Sequence, residues 1–199
     1  MDPDGDCQFR AEQGKLTISL PKSTHHDLTV ERGKMNAPRL LRDVEGDFTA
    51  VVRVSGTFRP TTTSSTDQRK PFVGAGLVLM NGDQTYIRLE RASMYSDDKR
   101  YWYANWELRE DGEWKLAGDA ETKPLDEDKP VYLRMQRKGD KIYGAVSYDG
   151  KEWSELEPLE VKLPAKLKIG VSGGGTSTEP FKPHFDHFRL TTDKGKAGS

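Results

Sequence analysis

Apolar and polar residues alternate with a period of two over much of this chain, and Asx-Gly or Gly-Asx pairs interrupt the alternation. In DFTAVVRVSGTF, Phe48, Ala50, Val52, Val54 and Phe58 fall on one side, while Thr49, Arg53, Ser55 and Thr57 fall on the other. In QTYIRLERA, Ile87 and Leu89 alternate with Tyr86, Arg88 and Glu90, and in PVYLRMQRK, Val131, Leu133 and Met135 alternate with Tyr132, Arg134 and Gln136. Such spacing sends successive side chains to opposite faces of an extended strand and is incompatible with one face of a helix. Asn81-Gly82, Asp111-Gly112, Gly139-Asp140 and Asp149-Gly150 each lie between two such runs. These pairs tolerate the positive φ of tight hairpin turns, so neighbouring strands are predicted to be antiparallel. The predicted strands are 7–9, 15–20, 47–58, 72–80, 84–91, 100–108, 113–117, 130–138, 141–148, 152–155, 158–162, 166–173 and 184–191, the short regular spacing of an all-β sandwich. FVGAGLVLM, apolar on both sides, reads as a central strand.

The rest of the chain organises around these runs. TTTSSTDQRKP, residues 61–71, reads as a long flexible loop, and 192–199 as a tail or linker after a single domain at 1–191. Ser172 to Thr176 is Gly-rich but is not followed by a helix or a Gly-Lys-Ser/Thr, so it reads as a wide loop and not a phosphate cradle. In SYDGKEWSEL, Asp149 and Gly150 form a turn and Trp153 covers the hairpin. The order falls one residue short of the Asp-box of sialidases, a structural element in those proteins.

Charge and cysteine content exclude several classes. Lys and Arg number 31 against 32 Asp and Glu, a formal charge of −1, so no global field gathers nucleic acid or an anionic membrane. A single cysteine, Cys7, precludes an internal disulfide and a Cys-rich zinc site. No run approaches the about 20 apolar residues of a membrane helix, and residues 1–20 carry no apolar signal core. The expected settings are the cytoplasm, or export as part of a longer chain whose other domains would be partners.

The ordered set AP-x-LLRDVEGDFTAVVRV, GAGLVLMNGDQTYIRLER, LRMQRKGDKIYGAVSYDGKEWSEL, LKIGVSGGG and FDHFRL, from Ala37 to Leu190, resembles the concanavalin A-like sandwich family of "regulation of enolase" type proteins. That family is similar to the C-terminal accessory sandwich of some β-xylosidases. The resemblance implies two antiparallel sheets in jelly-roll order, and many such sandwiches bind carbohydrate on the concave sheet.

If the apolar members of each strand fill the core, their alternates are displayed: Arg53, Tyr86, Arg88, Glu90, Tyr132 and Arg134, together with Tyr101, Tyr103, Asn105 and Glu107 from RYWYANWEL. Rings that stack on sugar C–H faces, beside Arg, Glu and Asn that bond hydroxyls, suit a carbohydrate. The expected contact set is Tyr86, Arg88, Glu90, Tyr103, Asn105, Glu107 and Arg134. The same alternation also describes a solvated face carrying cross-strand ion pairs. A glycoside hydrolase using Glu90 and Glu107, or a protein-interaction domain, are the alternatives. Enzymes of the resembled group often carry E-x-D-x-x-E on a strand, and this sequence has none. DPDGDC places Asp2, Asp4 and Asp6 at alternate positions, a pattern of hard oxygen ligands. Calcium sites of the resembled fold often join such a segment to an Asp of the last strand, here Asp186; no cofactor is required, and Asp2, Asp4, Asp6 and Asp186 read either as a structural calcium site or as a frayed acidic end and a strand Asp bonded to backbone. His184 and His187 are three apart in a predicted strand, hence on opposite faces. HHD at 25–27 reads as a turn in which a histidine meets a carboxylate.

Overall fold

Alternation becomes strand wherever the sequence shows it, and the computed structural model describes residues 1–117 and 123–192. In chain order the strands are β1 (Gln8–Glu12), β2 (Lys15–Ser19), β3 (Leu28–Thr29), β4 (Lys34–Met35), β5 (Arg39–Glu45), β6 (Phe48–Ser55), β7 (Phe72–Asn81), β8 (Thr85–Ser96), β9 (Lys99–Glu110), β10 (Glu113–Ala117), β11 (Val131–Lys138), β12 (Lys141–Ser147), β13 (Ser154–Glu155), β14 (Leu159–Glu160), β15 (Lys166–Gly175) and β16 (His184–Thr192). Among the described residues the helical element is one 3₁₀ turn, Val30–Arg32, and no helix is long and apolar enough to cross a membrane.

All strands but the separate β3-β4 pair form two antiparallel sheets, a β-sandwich as the alternation predicts. One runs β1-β2-β16-β6-β11-β12-β13, with β14 also paired to β12; the other runs β10-β9-β8-β7-β15-β5. Inward residues of both make one core: Val52 and Val54 on β6, Leu77 and Leu79 on β7, Ile87 and Leu89 on β8, Trp106 on β9, and Leu133 and Met135 on β11. Asp111 and Gly112 both have positive φ (53° and 80°), as the tight turn between β9 and β10 requires. In the Asp149-Gly150 hairpin, the Asp149 carboxylate accepts the N–H groups of Lys151 (2.8 Å) and Glu152 (2.9 Å), so this turn is structural.

A smaller apolar cluster lies outside the sandwich. Leu28 and Ala37 pack with Val78, Met80 and Tyr86 on the outer face of the six-stranded sheet. Residues 25–38, including the β3–β4 pair, are therefore a flap laid over that face. It is fixed by Asn36, whose side-chain amide accepts the Asp27 N–H (3.1 Å) and donates to the His25 carbonyl (2.8 Å).

Three sequence expectations change. β5 escapes the pattern because Leu40 and Leu41 are adjacent and Leu40 is 52 % exposed at the sheet edge. Ser172–Gly175, expected as a wide loop, extends β15 and pairs with Val73–Gly76 of β7. The 61–71 loop is tied down: Ser65 N–H donates to the Thr176 carbonyl (2.8 Å) and Thr178 N–H to the Thr61 hydroxyl (3.0 Å). The expected tail lies, beyond Thr192, outside the described residues.

Candidate functional site

Cross-strand pairing on β8 and β9 builds the site. In this register Arg88 stands opposite Glu107, and Glu90 opposite Asn105. All four point away from the core, because their neighbours Leu89 and Trp106 fill it. Arg88 Nη2 donates to Glu107 Oε1, and Asn105 Nδ2 donates to Glu90 Oε2 at 3.0 Å. Arg109, two residues past Glu107 and on the same face, lies 2.9 Å from Glu107 Oε2 and holds Glu31 of the 3₁₀ turn with two 3.0 Å bonds.

The flap turns this face into a buried charge network. Asp27 Oδ1 accepts from Arg88 Nη1 at 3.1 Å, and Glu90 Oε2 lies 3.7 Å from the same nitrogen. Asp27 Oδ2 sits 3.4 Å from Arg69 and 3.8 Å from His25, ion-pair distances without hydrogen-bond geometry. Burial opposes charge on Asp27, but His25, Arg88 and Arg69 outweigh it and hold the carboxyl well below the usual range. Burial likewise opposes charge on Arg88, and Glu90 and Asp27 outweigh it, raising its pKa.

Beside the flap the sheet stays open as a groove of about 300 Å³. Its floor is Gly74, Glu90, Ala92 and Asn105, with Arg88 and Glu107 beneath the flap edge. Its walls are Phe72, Met94 and Tyr103, and Arg32, Gln68, Arg69 and Lys70 form the rim. The Arg69 guanidinium lies 4.9 Å over the Phe72 ring, and Arg32 donates to the Gln68 carbonyl (3.2 Å), joining flap to loop. A larger cavity of about 830 Å³ lies beside β5, lined by Met1, Leu41, Asp43 and Lys168 among others. Its rim charges pair with each other, as in Lys168–Asp43 at 2.6 Å, and it gathers fewer buried polar groups than the groove.

The structure brings together Arg88, Glu90, Tyr103, Asn105 and Glu107 of the expected contact set and separates two others. Tyr86 is not displayed: it is buried under the flap, and its hydroxyl donates to the Leu28 carbonyl at 2.7 Å. Arg134 lies on β11, in the other sheet, where it stacks 4.5 Å over Trp153 and pairs with Glu155. Arg53 and Tyr132 belong to that sheet too. Sequence reasoning missed Asp27, Glu31, Arg69 and Gly74. Only Arg109 left a signal, as the next outward member of the β9 alternation.

The expected calcium set is also divided. Asp186 Oδ2 accepts from Arg53 at 3.0 Å, and its Oδ1 lies 2.7 Å from His187, on β16 of the eight-stranded sheet. Asp2, Asp4 and Asp6 lie elsewhere, beside Cys7, His26 and Asn36. Asp2 accepts the Cys7 N–H (2.8 Å), and Asn36 Nδ2 donates to Asp4 (2.6 Å). Burial, then the neighbouring Asp6 and Asp2, push the Cys7 thiol up.

For hydrolysis, a carboxyl must be kept protonated in an apolar setting. Glu107 instead lies between two guanidiniums, and Glu90 beside Arg88 and the Asn105 amide. This is ion-pair geometry.

A family model described as "Protein of unknown function (DUF1349)" matches residues 7–193. The chain belongs to the DUF1349 family. The narrower "regulation of enolase" designation is not part of that match. No curated protein matches this DUF1349 chain. Among solved structures it is similar to a functionally unknown protein from Saccharomyces cerevisiae, at 19 % identity and TM-score 0.68 over 94 % of this chain and 93 % of that one. It is also similar to the GH43 BlXynB protein from Bacillus licheniformis, at 20 % identity and TM-score 0.67 over 96 % of this chain; the DUF1349 chain spans 35 % of that protein. A third likeness is to the carbohydrate-binding module CBM66 from Bacillus subtilis, at 9 % identity and TM-score 0.55 over 94 % of this chain and 92 % of that one. At these identities the likenesses show the shared β-sandwich.

Proposed function

We propose that the groove over β7, β8 and β9 binds carbohydrate, and that the domain is a non-catalytic recognition module. The observation that carries this is one open groove in which rings meet hydrogen-bonding groups already fixed by their neighbours. Tyr103 offers an apolar face for sugar C–H stacking, and Phe72, with Arg69 over its ring, adds an apolar wall. Asn105, oriented by its bond to Glu90, and the rim residues Arg69 and Lys70 offer partners for hydroxyls. Groups held in place before binding lose little freedom on binding. A volume of about 300 Å³ lies at the low end of the about 300–1,000 Å³ of small-molecule sites, which suits one or two sugar rings. The similarity to a carbohydrate-binding module and to a GH43 protein agrees with this reading at the level of fold.

The test is calorimetric titration of the full chain with a panel of soluble glycans. Binding of at least one is expected, weakened about fivefold to tenfold by Asn105→Ala, the worth of one hydrogen bond. Gly74→Leu is expected to abolish it. A Cβ at Gly74 meets Glu90 Oε2 at an ordinary 3.4 Å, so the fold accepts the residue while its branch fills the groove. Failure of every glycan, or undiminished binding by a folded Gly74→Leu variant, overturns the proposal.

A further inference from the structure

We propose that Asp6, Cys7 and His26, completed by Asp4, form a tetrahedral site for one zinc-class dication that staples the N-terminal segment to the flap. Three different donor types, from two chain segments, converge here. Among the described residues this is the cluster of three or more ligand atoms that all lie within 4.8 Å of one another. His26 Nε2 lies 2.9 Å from Asp6 Oδ1, 3.6 Å from Cys7 Sγ and 3.7 Å from Asp4 Oδ2, and Cys7 Sγ lies 3.4 Å from Asp6 Oδ1. Zn–S near 2.3 Å, with Zn–N and Zn–O near 2.0–2.2 Å, places tetrahedral ligand atoms about 3.3–3.6 Å apart. The three edges among Asp6, Cys7 and His26 bracket that range, whereas Asp4, near His26 alone, must swing inward to complete the tetrahedron.

The ring that anchors the cluster is buried. His26 is 1 % exposed, and its buried Nδ1 has no hydrogen-bond partner among the described residues. Its orientation is therefore set by what Nε2 faces. Its backbone pairs both ways with Gly175 (3.1 and 2.8 Å). Outer partners hold the remaining ligands: Asn36 donates to Asp4 and Asp2 accepts the Cys7 N–H, the second layer that metal ligands characteristically carry. The donor set selects the ion. A thiolate and an imidazole suit Zn²⁺ or Co²⁺, whereas Ca²⁺ takes six to eight oxygens.

The full untagged chain, stripped with a chelator, is titrated with Zn²⁺ against a chromophoric chelator, and separately with Co²⁺. One equivalent should bind. The Co²⁺ adduct should show thiolate-to-metal charge transfer and the visible bands of tetrahedral coordination, and Zn²⁺ should raise the thermal midpoint of unfolding. Cys7→Ser should remove the charge-transfer band, and Cys7→Ser and Asp6→Asn should each weaken Zn²⁺ by at least about tenfold. Asp186→Asn should change nothing. Absence of Zn²⁺ binding by the wild-type chain overturns the site. So does Zn²⁺ binding of wild-type strength in both Cys7→Ser and Asp6→Asn, two partly exposed positions whose variants are checked for fold by circular dichroism.

Discussion

Arg88→Met is expected to lower folding stability by about 3–5 kcal/mol, the cost of removing one partner from a buried ion pair. The guanidinium is the hub of the network: Asp27 and Glu107 accept from it and Glu90 lies 3.7 Å away, all buried. Methionine fills similar volume and leaves three carboxylates facing one another. Urea unfolding at neutral pH measures the loss, and a change under about 1 kcal/mol would show that the network is not stabilising. The same network fixes a pH dependence. The Asp27 carboxyl titrates lower in the folded chain than the about 3.9 of an unfolded one. Its contribution is therefore complete above about pH 4 and lost as pH falls through the lower folded value. Because Arg88 is one of the groups holding it down, the acid-unfolding limb of Arg88→Met should move to higher pH than that of the wild type. Coincident acid limbs would contradict this.

Trp106→Ala is expected to cost a similar about 3–5 kcal/mol. The indole is buried at the centre of the main core, and its Nε1–H donates to the Glu157 carbonyl at 2.8 Å. Across the sandwich the ring lies over Gly144 of β12, where an added Cβ would approach it to 3.1 Å. The glycine makes room for the ring, and alanine at 106 leaves a void that neither strand can close. Trp106→Phe should lose less, since much of the ring volume is retained. Equal losses for both variants in denaturant unfolding would assign the effect to the Glu157 bond and not to packing.

Much of the fold was legible because alternation and turn pairs are local properties. β6, β8, β11 and β12 follow from residues a few positions apart. β5 did not, since a Leu-Leu doublet at an edge strand breaks the period. The site was legible only in part, for two physical reasons. Alternation tells which side chains leave the core, but a sandwich has two outsides. Arg88 and Arg134 both point away from the core and so lie on opposite surfaces. Alternation is also blind to cover supplied from far along the chain. Tyr86 faces outward from β8 and is nevertheless buried, because Leu28 and Ala37 lie over it. The histidine-thiol cluster joins residues nineteen apart that share no pattern.

The position of β16 bears on how the molecule is made. This strand sits between β2 and β6, with Phe185 opposite both Leu16 and Val54. During vectorial synthesis, residues 15–19 pair at once with β1 but acquire their second strand neighbour only when 184–192 emerge. Until then β6 offers an unpaired backbone edge. Closing so long a loop is slow, so from the emergence of β6 to that of β16 the nascent chain carries an open, adhesive seam. That seam runs along the gap between β2 and β6 that β16 fills.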